Sequence, residues 1–440
     1  MSVKQTARII STYAGDTSGV ASALFELGGM TVMHDASGCN STYNTHDEPR
    51  WYDTDSLVFI SGLTEKDAIF GNDDRLIDDL VKAAEELHPR FVAVCGGPLP
   101  HIIGTDFRAV ARAVWRRTGI PSFGLQTNGM DSYVRGAGGA LAEIAERAEP
   151  PVRKRFGLPG KIKINLLGVT PLDFSVNGSV REMEKYFEGQ GFGVLSTWAM
   201  GNTLDEILAS ADADVNLVVS ACGLPAAKVL LRRFGIPFVV GMPAGRENSR
   251  EICARLREAA KAGRLQHAGQ DGSKTGEKQD TGSAVSRVLP EPERKKRALP
   301  TGNAAKDPEL SGEEKQGDED TEAELLIIGE PVQADALARE ISLSGQYEKI
   351  RIVCPMAGLP EELLAGKEQL VLEQELRDAC ARADRIIADP LYRRLLPGEE
   401  GKFTALPHTA YSGRYYENEM PVLIGEKLNR WLVLPKGPKT

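Results

Sequence analysis

Short apolar runs that end in glycine or proline recur along the chain and alternate with amphipathic segments. The runs are rich in β-branched residues, which is typical of strands buried in a parallel sheet. The segments between them place apolar residues at three- and four-residue spacing, which predicts helices, and several end at a glycine. The predicted strands are FVAVCGG, IKINLLGV, VNLVVSACG, FVVGMPAG, ELLIIGEP, IRIVCP and RIIADP, and the helices include DRLIDDLVKAAEELH, SVREMEKYFEGQG and ENSREICARLREAAKAG.

This alternation predicts an α/β fold built from doubly wound, Rossmann-like parallel sheets. Residues 267–321 interrupt it, because they include no aromatic residue and only scattered valines and leucines. Such a stretch buries too little apolar surface to offset its ordering entropy, so we expect a disordered linker there. The remainder divides into three α/β domains at 1–150, 151–266 and 322–440. Ligands of such sheets bind beyond the carboxyl ends of the strands.

Composition narrows the class of protein. The 440 residues carry a net charge of −9, which argues against nucleic acid or an anionic membrane as a partner. No apolar run approaches the roughly 18 residues of a membrane span. The N-terminal residues show no apolar core of a secretory signal, so we expect a cytoplasmic protein.

Six cysteines are too few for a disulfide scaffold in a chain of this length. No CxxC pair is present, which leaves a self-contained zinc site or a thioredoxin-like dithiol without support. A metal cluster would therefore draw its ligands from distant segments or from a second subunit. The sequence also has no P-loop, no strand-linked GxGxxG and no GxSxG motif, so it gives no basis for nucleotide binding or an α/β-hydrolase.

Four residues occupy positions where chemistry is expected. Cys39 follows a glycine in a loop that also holds histidines and aspartates, and it is either a cluster ligand or an unliganded cysteine. Cys95 ends a predicted strand, and Cys222 lies between a strand and a helix; each is either a ligand or a small buried residue. His408 lies in a loop with prolines and tyrosines, where it is either structural or a ligand and proton donor.

Five segments in this order resemble the nitrogenase component 1 superfamily, which includes nitrogenase molybdenum–iron protein subunits, cofactor-assembly scaffolds and tetrapyrrole reductases. The resemblance spans both sides of the predicted linker and implies a three-domain α/β protein that pairs as a homodimer or heterodimer. It further implies an iron–sulfur cluster between the subunits and electrons delivered by a separate iron-protein-like ATPase. The segments are GVASALFELGGMTVMHDASGCN, GLTEKDAIFGNDDRLIDDL, HPRFVAVCGGPLPHIIGTD, NLVVSACGLPAAKVLLRRFGIPFVVGMPAG and LPHTAYSGRYY.

The resemblance also implies metal ligands at three places in the N-terminal domain. The second place matches Cys39, and the first falls beside Asp16, which would act as an oxygen ligand as a carboxylate does in protochlorophyllide reductase. The third falls at Pro98, with Cys95 a little earlier on the same loop. These departures disfavour a full P-cluster. They favour a [4Fe–4S] cluster that uses Cys39 and Cys95 from each of two subunits.

In nitrogenase, one cysteine and one histidine hold the molybdenum–iron cofactor at a second site. Cys222 and His408 lie in the segments that resemble those two, each slightly displaced. The resemblance therefore implies a pocket among the domains for a substrate, a second metallocofactor or a tetrapyrrole, with Cys222 and His408 as cofactor-binding residues. His408 is also the expected proton donor, because the reference pKa of histidine is about 6.5.

The leading functional hypothesis is the catalytic component of a nitrogenase-like reductase acting on an unidentified substrate. Two alternatives stay open. One is a scaffold for assembling a nitrogenase-type metallocofactor, and the other is a diverged, non-catalytic partner subunit.

Overall fold

The computed structural model describes residues 9, 14–36, 38, 43–151, 160–270, 323–345, 347 and 349–432. Cys39 lies outside these ranges, and so does the predicted linker from residue 271 onward. The α/β prediction is confirmed, because the described strands form three sheets in which every pairing is parallel.

The first sheet has the strand order β2-β1-β3-β4. Its register places Cys95 opposite Met33 and Gly96 opposite His34, so the loops after β1 and β3 leave the sheet side by side. The strands are β1 (Met30–His34), β2 (Leu57–Ile60), β3 (Val92–Gly96) and β4 (Ser122–Gly124), and the helices are α1 (Asp16–Leu24), α2 (Glu65–Phe70), α3 (Asp73–Leu87), α4 (Pro98–Ile103), α5 (Phe107–Thr118) and α6 (Tyr133–Ala145), with a π-helical turn at Tyr43–Asp47.

The second sheet has the order β6-β5-β7-β8. Its last helix reaches Gln270 and so extends into the first residues of the predicted linker. The strands are β5 (Ile162–Leu167), β6 (Phe192–Trp198), β7 (Val215–Val218) and β8 (Phe238–Val240), and the helices are α7 (Pro171–Phe174), α8 (Ser179–Gly189), α9 (Leu204–Leu208), α10 (Leu224–Phe234) and α11 (Arg246–Gln270), with 3₁₀ turns at Ala209–Asp212 and Ala221–Gly223.

The third sheet has the order β11-β10-β9-β12-β13. Its central strand β9 is buried along its whole length. The strands are β9 (Glu324–Ile328), β10 (Lys349–Cys354), β11 (Glu368–Gln369), β12 (Arg385–Ala388) and β13 (Phe403–Ala405), and the helices are α12 (Pro331–Leu343), α13 (Glu373–Arg382), α14 (Thr409–Ser412) and α15 (Glu426–Trp431), with 3₁₀ turns at Glu361–Leu363, Pro390–Leu395, Glu400–Lys402 and Gly413–Glu419.

The longest described helix, α11, carries charged residues along much of its length. Of the helices that the structure describes, none is both long enough and apolar enough to cross a membrane.

Helices α1 and α6 pack closely because each has a glycine where they meet. A β-carbon at Gly19 would overlap the Tyr133 carbonyl oxygen, and a β-carbon at Gly136 would overlap the Asp16 carbonyl oxygen. This contact fixes Asp16 at the start of α1 relative to Tyr133 at the start of α6.

We expect Gly136→Ala to lower the free energy of unfolding by about 1–3 kcal/mol or more, because the backbones of α1 and α6 must separate to admit the methyl group. Gly139→Ala is the matched control on the same helix, since its β-carbon would approach only the Leu125 Cδ2 atom, at 3.3 Å. The control gains helix propensity and should stay within about 1 kcal/mol of the wild type. Equal losses for both variants in urea unfolding would contradict the close packing.

Candidate functional site

Side chains from all three sheet units meet at Asp173, which lies on α7 directly after β5. Its helix begins with a capping interaction, since the Asp173 amide donates to the Thr170 hydroxyl at 3.3 Å. The Tyr133 hydroxyl, from α6 of the first unit, donates to Asp173 Oδ1 at 2.6 Å. His408, from the third unit, places its Nε2 atom 3.6 Å from the same oxygen. Asp173 is fully buried, so it is the point at which the three units converge.

Glu330 is a second buried carboxyl group at this junction. It is the N-cap of α12, where its Oε2 atom accepts hydrogen bonds from the amides of Val332 at 3.0 Å and Gln333 at 2.8 Å. Its Oε1 atom accepts from the Ala221 amide of the second unit at 2.7 Å. Gln333 adds a bond between the units, because its Nε2 atom donates to the Asp173 carbonyl oxygen at 3.0 Å.

The two carboxyl groups influence each other's ionisation. Burial raises the pKa of Asp173, and hydrogen bonds from Tyr133, Thr170 and nearby side chains oppose that rise. Burial, followed by the charge of Asp173, raises the pKa of Glu330 to about 8. Two neighbouring carboxyl groups in a low-dielectric site do not ionise together readily. The pair therefore favours a single negative charge near neutral pH.

His408 lies against a cavity that the second and third units enclose. Its ring stacks on Tyr411 with the ring centroids 4.5 Å apart. Neither ring nitrogen has a hydrogen-bond partner among the described residues. Burial lowers the pKa of His408 to about 3, so the imidazole is neutral at neutral pH. The reference value of about 6.5, on which its expected role as a proton donor depended, does not apply in this environment.

The cavity itself is small and has acidic walls. Its volume is about 30 Å³, which is more than the roughly 10–15 Å³ that one ordered water molecule needs. Its described wall includes the carboxyl groups of Asp173, Glu330 and Asp389 together with His408, and it includes no lysine or arginine. Burial raises the pKa of Asp389 to about 6.

Cys222 reaches the same junction, so the structure brings both Cys222 and His408 next to the Asp173 carboxyl group. Cys222 lies in a 3₁₀ turn after β7, and its fully buried thiol hydrogen-bonds Asp173. Burial raises the pKa of the Cys222 thiol well above its usual value, and the charges of Asp173 and Glu330 raise it further.

These surroundings do not fit a metallocofactor held by a Cys222 thiolate, or a tetrapyrrole. The Cys222 thiol is fully buried and already hydrogen-bonds the Asp173 carboxyl group, so it is not open to a metal. A cofactor of that size also exceeds the cavity by a wide margin. The residues fit a small neutral or cationic molecule better than an anionic one, because the described wall offers an anion no cationic partner.

Two of the three predicted cluster ligands lie together at the carboxyl edge of the first sheet. Cys95 is the penultimate residue of β3, and burial, followed by the charge of nearby Asp16, raises the pKa of its thiol. Asp16 accepts hydrogen bonds from the amides of Asn128 at 2.8 Å and Gly129 at 2.7 Å. Cys39, the third, falls outside the described residues, and no group of three or more metal-binding side chains occurs within the described ranges. The pair fits part of a cluster site that another segment or subunit would complete.

At two other places after strands, backbone amides donate hydrogen bonds to carboxylates of the chain itself. Glu340 of α12 accepts hydrogen bonds from the amides of Arg246, Glu247 and Asn248, at 2.9–3.0 Å, at the start of α11. Asp389, after β12, accepts from the His408 amide at 2.8 Å. Amides at helix N-termini are where parallel α/β folds bind phosphate groups. The positions capped by Glu340 and Asp389 are thus already occupied.

Sequence reasoning did not single out Asp173, Glu330, Tyr133 or Asp389. A signal existed for two of them, because Glu330 and Asp389 each end a predicted strand and each precede a proline. An acidic residue followed by proline is a helix N-cap signature. Glu330 and Asp389 are buried because the third unit docks against the second. The local sequence does not encode this docking.

Comparison with known proteins adds a family relationship. A family model described as "Nitrogenase component 1 type Oxidoreductase" matches residues 18–281. "Nitrogenase iron-molybdenum cofactor biosynthesis protein NifE" from Methanosarcina barkeri is 28% identical over 296 residues, 63% of this chain and 60% of that protein. "Nitrogenase molybdenum-iron protein alpha chain" from Clostridium pasteurianum is 27% identical over 183 residues, 41% of this chain and 33% of that protein. The matched regions thus span less than two thirds of these relatives.

Solved structures show the same fold. A chain of the structure titled "Nitrogenase Cp1 at pH 6.5" superposes with a TM-score of 0.61 at 16% sequence identity, covering 94% of this chain and 90% of that chain. A second, "Nitrogenase Cp1 at pH 5", gives a TM-score of 0.57 at 15% identity, covering 93% of this chain and 85% of that chain. At this identity the likeness establishes the architecture.

Proposed function

Because the chain belongs to the nitrogenase component 1 type oxidoreductase family, we propose that it is the substrate-reducing component of a two-component, nitrogenase-like reductase. The observation that carries this proposal is the junction at Asp173, where the second and third sheet units enclose a cavity lined by buried acidic groups and by an imidazole that has no hydrogen-bond partner among the described residues. Buried titratable groups that converge on one cavity are characteristic of sites that move protons.

Electrons would enter through the first sheet unit. The proposed ligands are Cys39 and Cys95, with Asp16 beside them, completed by the same residues of a second subunit into a [4Fe–4S] cluster. Such a cluster supplies one-electron transfer at low potential. Asp16 supports this location because its carboxylate lies beside Cys95 at the edge where the strands end.

A partner subunit is supported by the surface around these residues. Large apolar side chains project from the elements that follow β2, β3 and β4, including Phe70 at 82% exposed, Ile102 at 74% and Met130 at 68%. Exposed apolar residues on neighbouring loops at one sheet edge are typical of a protein–protein interface. We propose a homodimer or a heterodimer with a related component 1 subunit, and an iron-protein-like ATPase as the electron donor in the cytoplasm.

Substitution of Cys39 by alanine tests the cluster. After anaerobic reconstitution with iron and sulfide, we expect the wild type to bind iron and give an EPR signal on reduction, and Cys39→Ala to lose most of both. Cys380→Ala is the matched control, because Cys380 is a buried cysteine on α13 of the third unit and should leave iron content and signal unchanged. Unchanged iron and signal in Cys39→Ala would remove Cys39 from the cluster.

A second candidate function is a scaffold for metallocofactor assembly. It is favoured by the match to the NifE protein of Methanosarcina barkeri, which extends over 296 residues against 183 for the molybdenum–iron protein alpha chain of Clostridium pasteurianum. A scaffold predicts tight cluster binding and transfer to an acceptor protein, without ATP-dependent substrate reduction by an iron protein. A diverged, non-catalytic partner subunit predicts colourless protein after anaerobic expression.

A further inference from the structure

Two carboxyl groups of different units line the cavity beside His408, and each is held by several hydrogen-bond donors. Asp173 accepts from the Tyr133 hydroxyl at 2.6 Å and from the Thr170 hydroxyl at 2.7 Å. Glu330 accepts from three backbone amides at 2.7–3.0 Å. Donors of this kind stabilise a carboxylate, so both groups are arranged to carry negative charge, although their burial and proximity oppose a second charge.

The described part of the wall offers this charge no cation. It includes a third carboxyl group, that of Asp389, and no lysine or arginine. Asp173 and Glu330 are 0% and 1% exposed, so water screens them little. Whichever of these two groups holds the charge of the pair, that charge lies in the interior without a protein counter-charge. A bound positive group would compensate it.

His408 indicates independently what kind of group the cavity binds. It is 6% exposed, it lines the cavity, and neither ring nitrogen has a hydrogen-bond partner among the described residues. Its Nε2 atom lies 3.6 Å from Asp173 Oδ1, which is too far for a direct hydrogen bond. A nitrogen about 2.9 Å from both atoms would donate one hydrogen bond to the neutral imidazole and another to the carboxylate.

The rest of the wall limits the size and the chemistry of the ligand. The cavity volume of about 30 Å³ is room for about two water-sized groups. Most of the other wall residues are apolar, among them Leu337, Leu406 and Leu423. A metal ion fits poorly, because the described ranges hold no group of three or more metal-binding side chains. An ammonium group with one short alkyl substituent matches both the acidic and the apolar parts of the wall.

We propose that this cavity binds a small primary ammonium ion of the size of methylammonium. Its N–H groups donate to His408 and to the carboxyl groups of Asp173 and Glu330, and its alkyl group contacts the apolar side chains. The proposal rests on the proposed function in taking the cavity as the site of reduction, and it names the class of molecule that enters or leaves that site. Tyr133 and Thr170 are positioning residues, because their hydroxyls hold the Asp173 carboxyl group.

Nuclear magnetic resonance of the full-length protein, with ¹³C at the histidine Cε1 atoms, tests the ligand class. The His408 signal is identified by its loss in His408→Gln. At pH 7 and constant ionic strength we expect methylammonium to shift this signal saturably, with a Kd of about 10 mM, which is the strength that two non-hydrogen atoms allow. Ammonium lacks the alkyl group and should bind about fourfold more weakly. Potassium and tetramethylammonium carry the same charge without an N–H donor and should leave the signal in place.

Substitution of Glu330 by glutamine tests the carboxyl group. The variant keeps a similar shape and lacks the charge, so methylammonium should bind at least about tenfold more weakly. Asp78→Asn is the matched control and should bind like the wild type, because it removes one carboxylate from a side chain of the first unit that is 65% exposed. Circular dichroism shows whether each variant is folded; if Glu330→Gln does not fold, the comparison of ligands on the wild type decides the assignment.

Four results would overturn the proposal. They are no saturable shift with methylammonium, an equal shift with potassium or tetramethylammonium, binding of ammonium as tight as that of methylammonium, and wild-type affinity in folded Glu330→Gln. The titration needs neither a cluster nor an electron donor, so it can fail while the reductase proposal stands. Iron binding can likewise fail while the ammonium site stands.

Discussion

Replacement of Arg50 by methionine should lower the free energy of unfolding by about 3–5 kcal/mol, which is the usual cost of leaving one partner of a buried ion pair without the other. Arg50 and Glu48 are both buried, and their side chains form two contacts, Nε to Oε1 at 2.7 Å and Nη2 to Oε2 at 2.9 Å. Arg50 also binds Glu26 at 2.7 Å and the Ser22 carbonyl oxygen at 2.8 Å. The substitution strands the charge of Glu48 in the protein interior.

The matched control is Arg75→Met. Arg75 pairs with Asp67 at 2.9 Å, but its side chain is 54% exposed, so we expect a change below about 1 kcal/mol. Urea unfolding of both variants gives the comparison. A double variant that also replaces Glu48 by methionine should recover part of the loss, because no unpaired charge remains. A loss below about 1 kcal/mol in Arg50→Met would show that the ion pair is not buried in solution.

This ion pair also matters for the proposed cluster. Residues 43–50 follow the segment that holds Cys39, and they are attached to α1 through the bonds from Ser18 to Asp47, at 2.6 Å, and from Ser22 to Glu48, at 2.8 Å. Helix α1 begins at Asp16, so this network supports the proposed ligand position at Asp16. Loss of Arg50 should therefore reduce iron binding along with stability.

The strands that the sequence predicted and the strand β6, which it missed, differ in the polarity of their buried residues. Runs such as FVAVCGG were predicted as strands because nearly every residue is apolar and the sheet buries both faces. Strand β6 escaped because it includes Ser196 and Thr197, which are buried and paired: Ser196 donates to Asn165 Oδ1 at 2.7 Å, and Thr197 donates to Glu184 at 2.8 Å. In a sequence, buried polar residues cannot be told from surface residues, because their hydrogen-bond partners come from other elements of the fold.

Some residues of the candidate site were likewise predicted from the sequence, and others were not. The resemblance named Cys222 and His408, and the structure places both against Asp173. It did not name Asp173 or Glu330, because a single acidic residue in a sequence reads as exposed unless its burial is known. The burial of Glu330 arises from docking between two units far apart in the chain, since its bond to Ala221 joins residues separated by 109 positions. The local pattern has no means of specifying such a contact.

Stability should fall as pH rises toward 8, and Glu330 should be the principal cause. Burial and the charge of Asp173 raise its pKa from 4.5 to about 8 in the folded protein. Between these two values the folded state binds one more proton than the unfolded state, so its free energy of unfolding declines by about 1.4 kcal/mol per pH unit. The stabilisation is complete below about pH 4.5 and is lost as pH passes 8. From pH 5 to pH 8 the loss amounts to about 4 kcal/mol.

Glu330→Gln should remove this slope, because glutamine does not titrate, although the lost acceptor for the Ala221 amide lowers its stability by a constant amount. Asp389→Asn is the control: the pKa of Asp389 rises only to about 6, so its contribution ends near that pH and the variant should keep the wild-type slope between pH 6.5 and 8. Urea unfolding of the three proteins at intervals across this range measures the slopes. Parallel curves for the wild type and Glu330→Gln would mean that Glu330 is already ionised throughout this range.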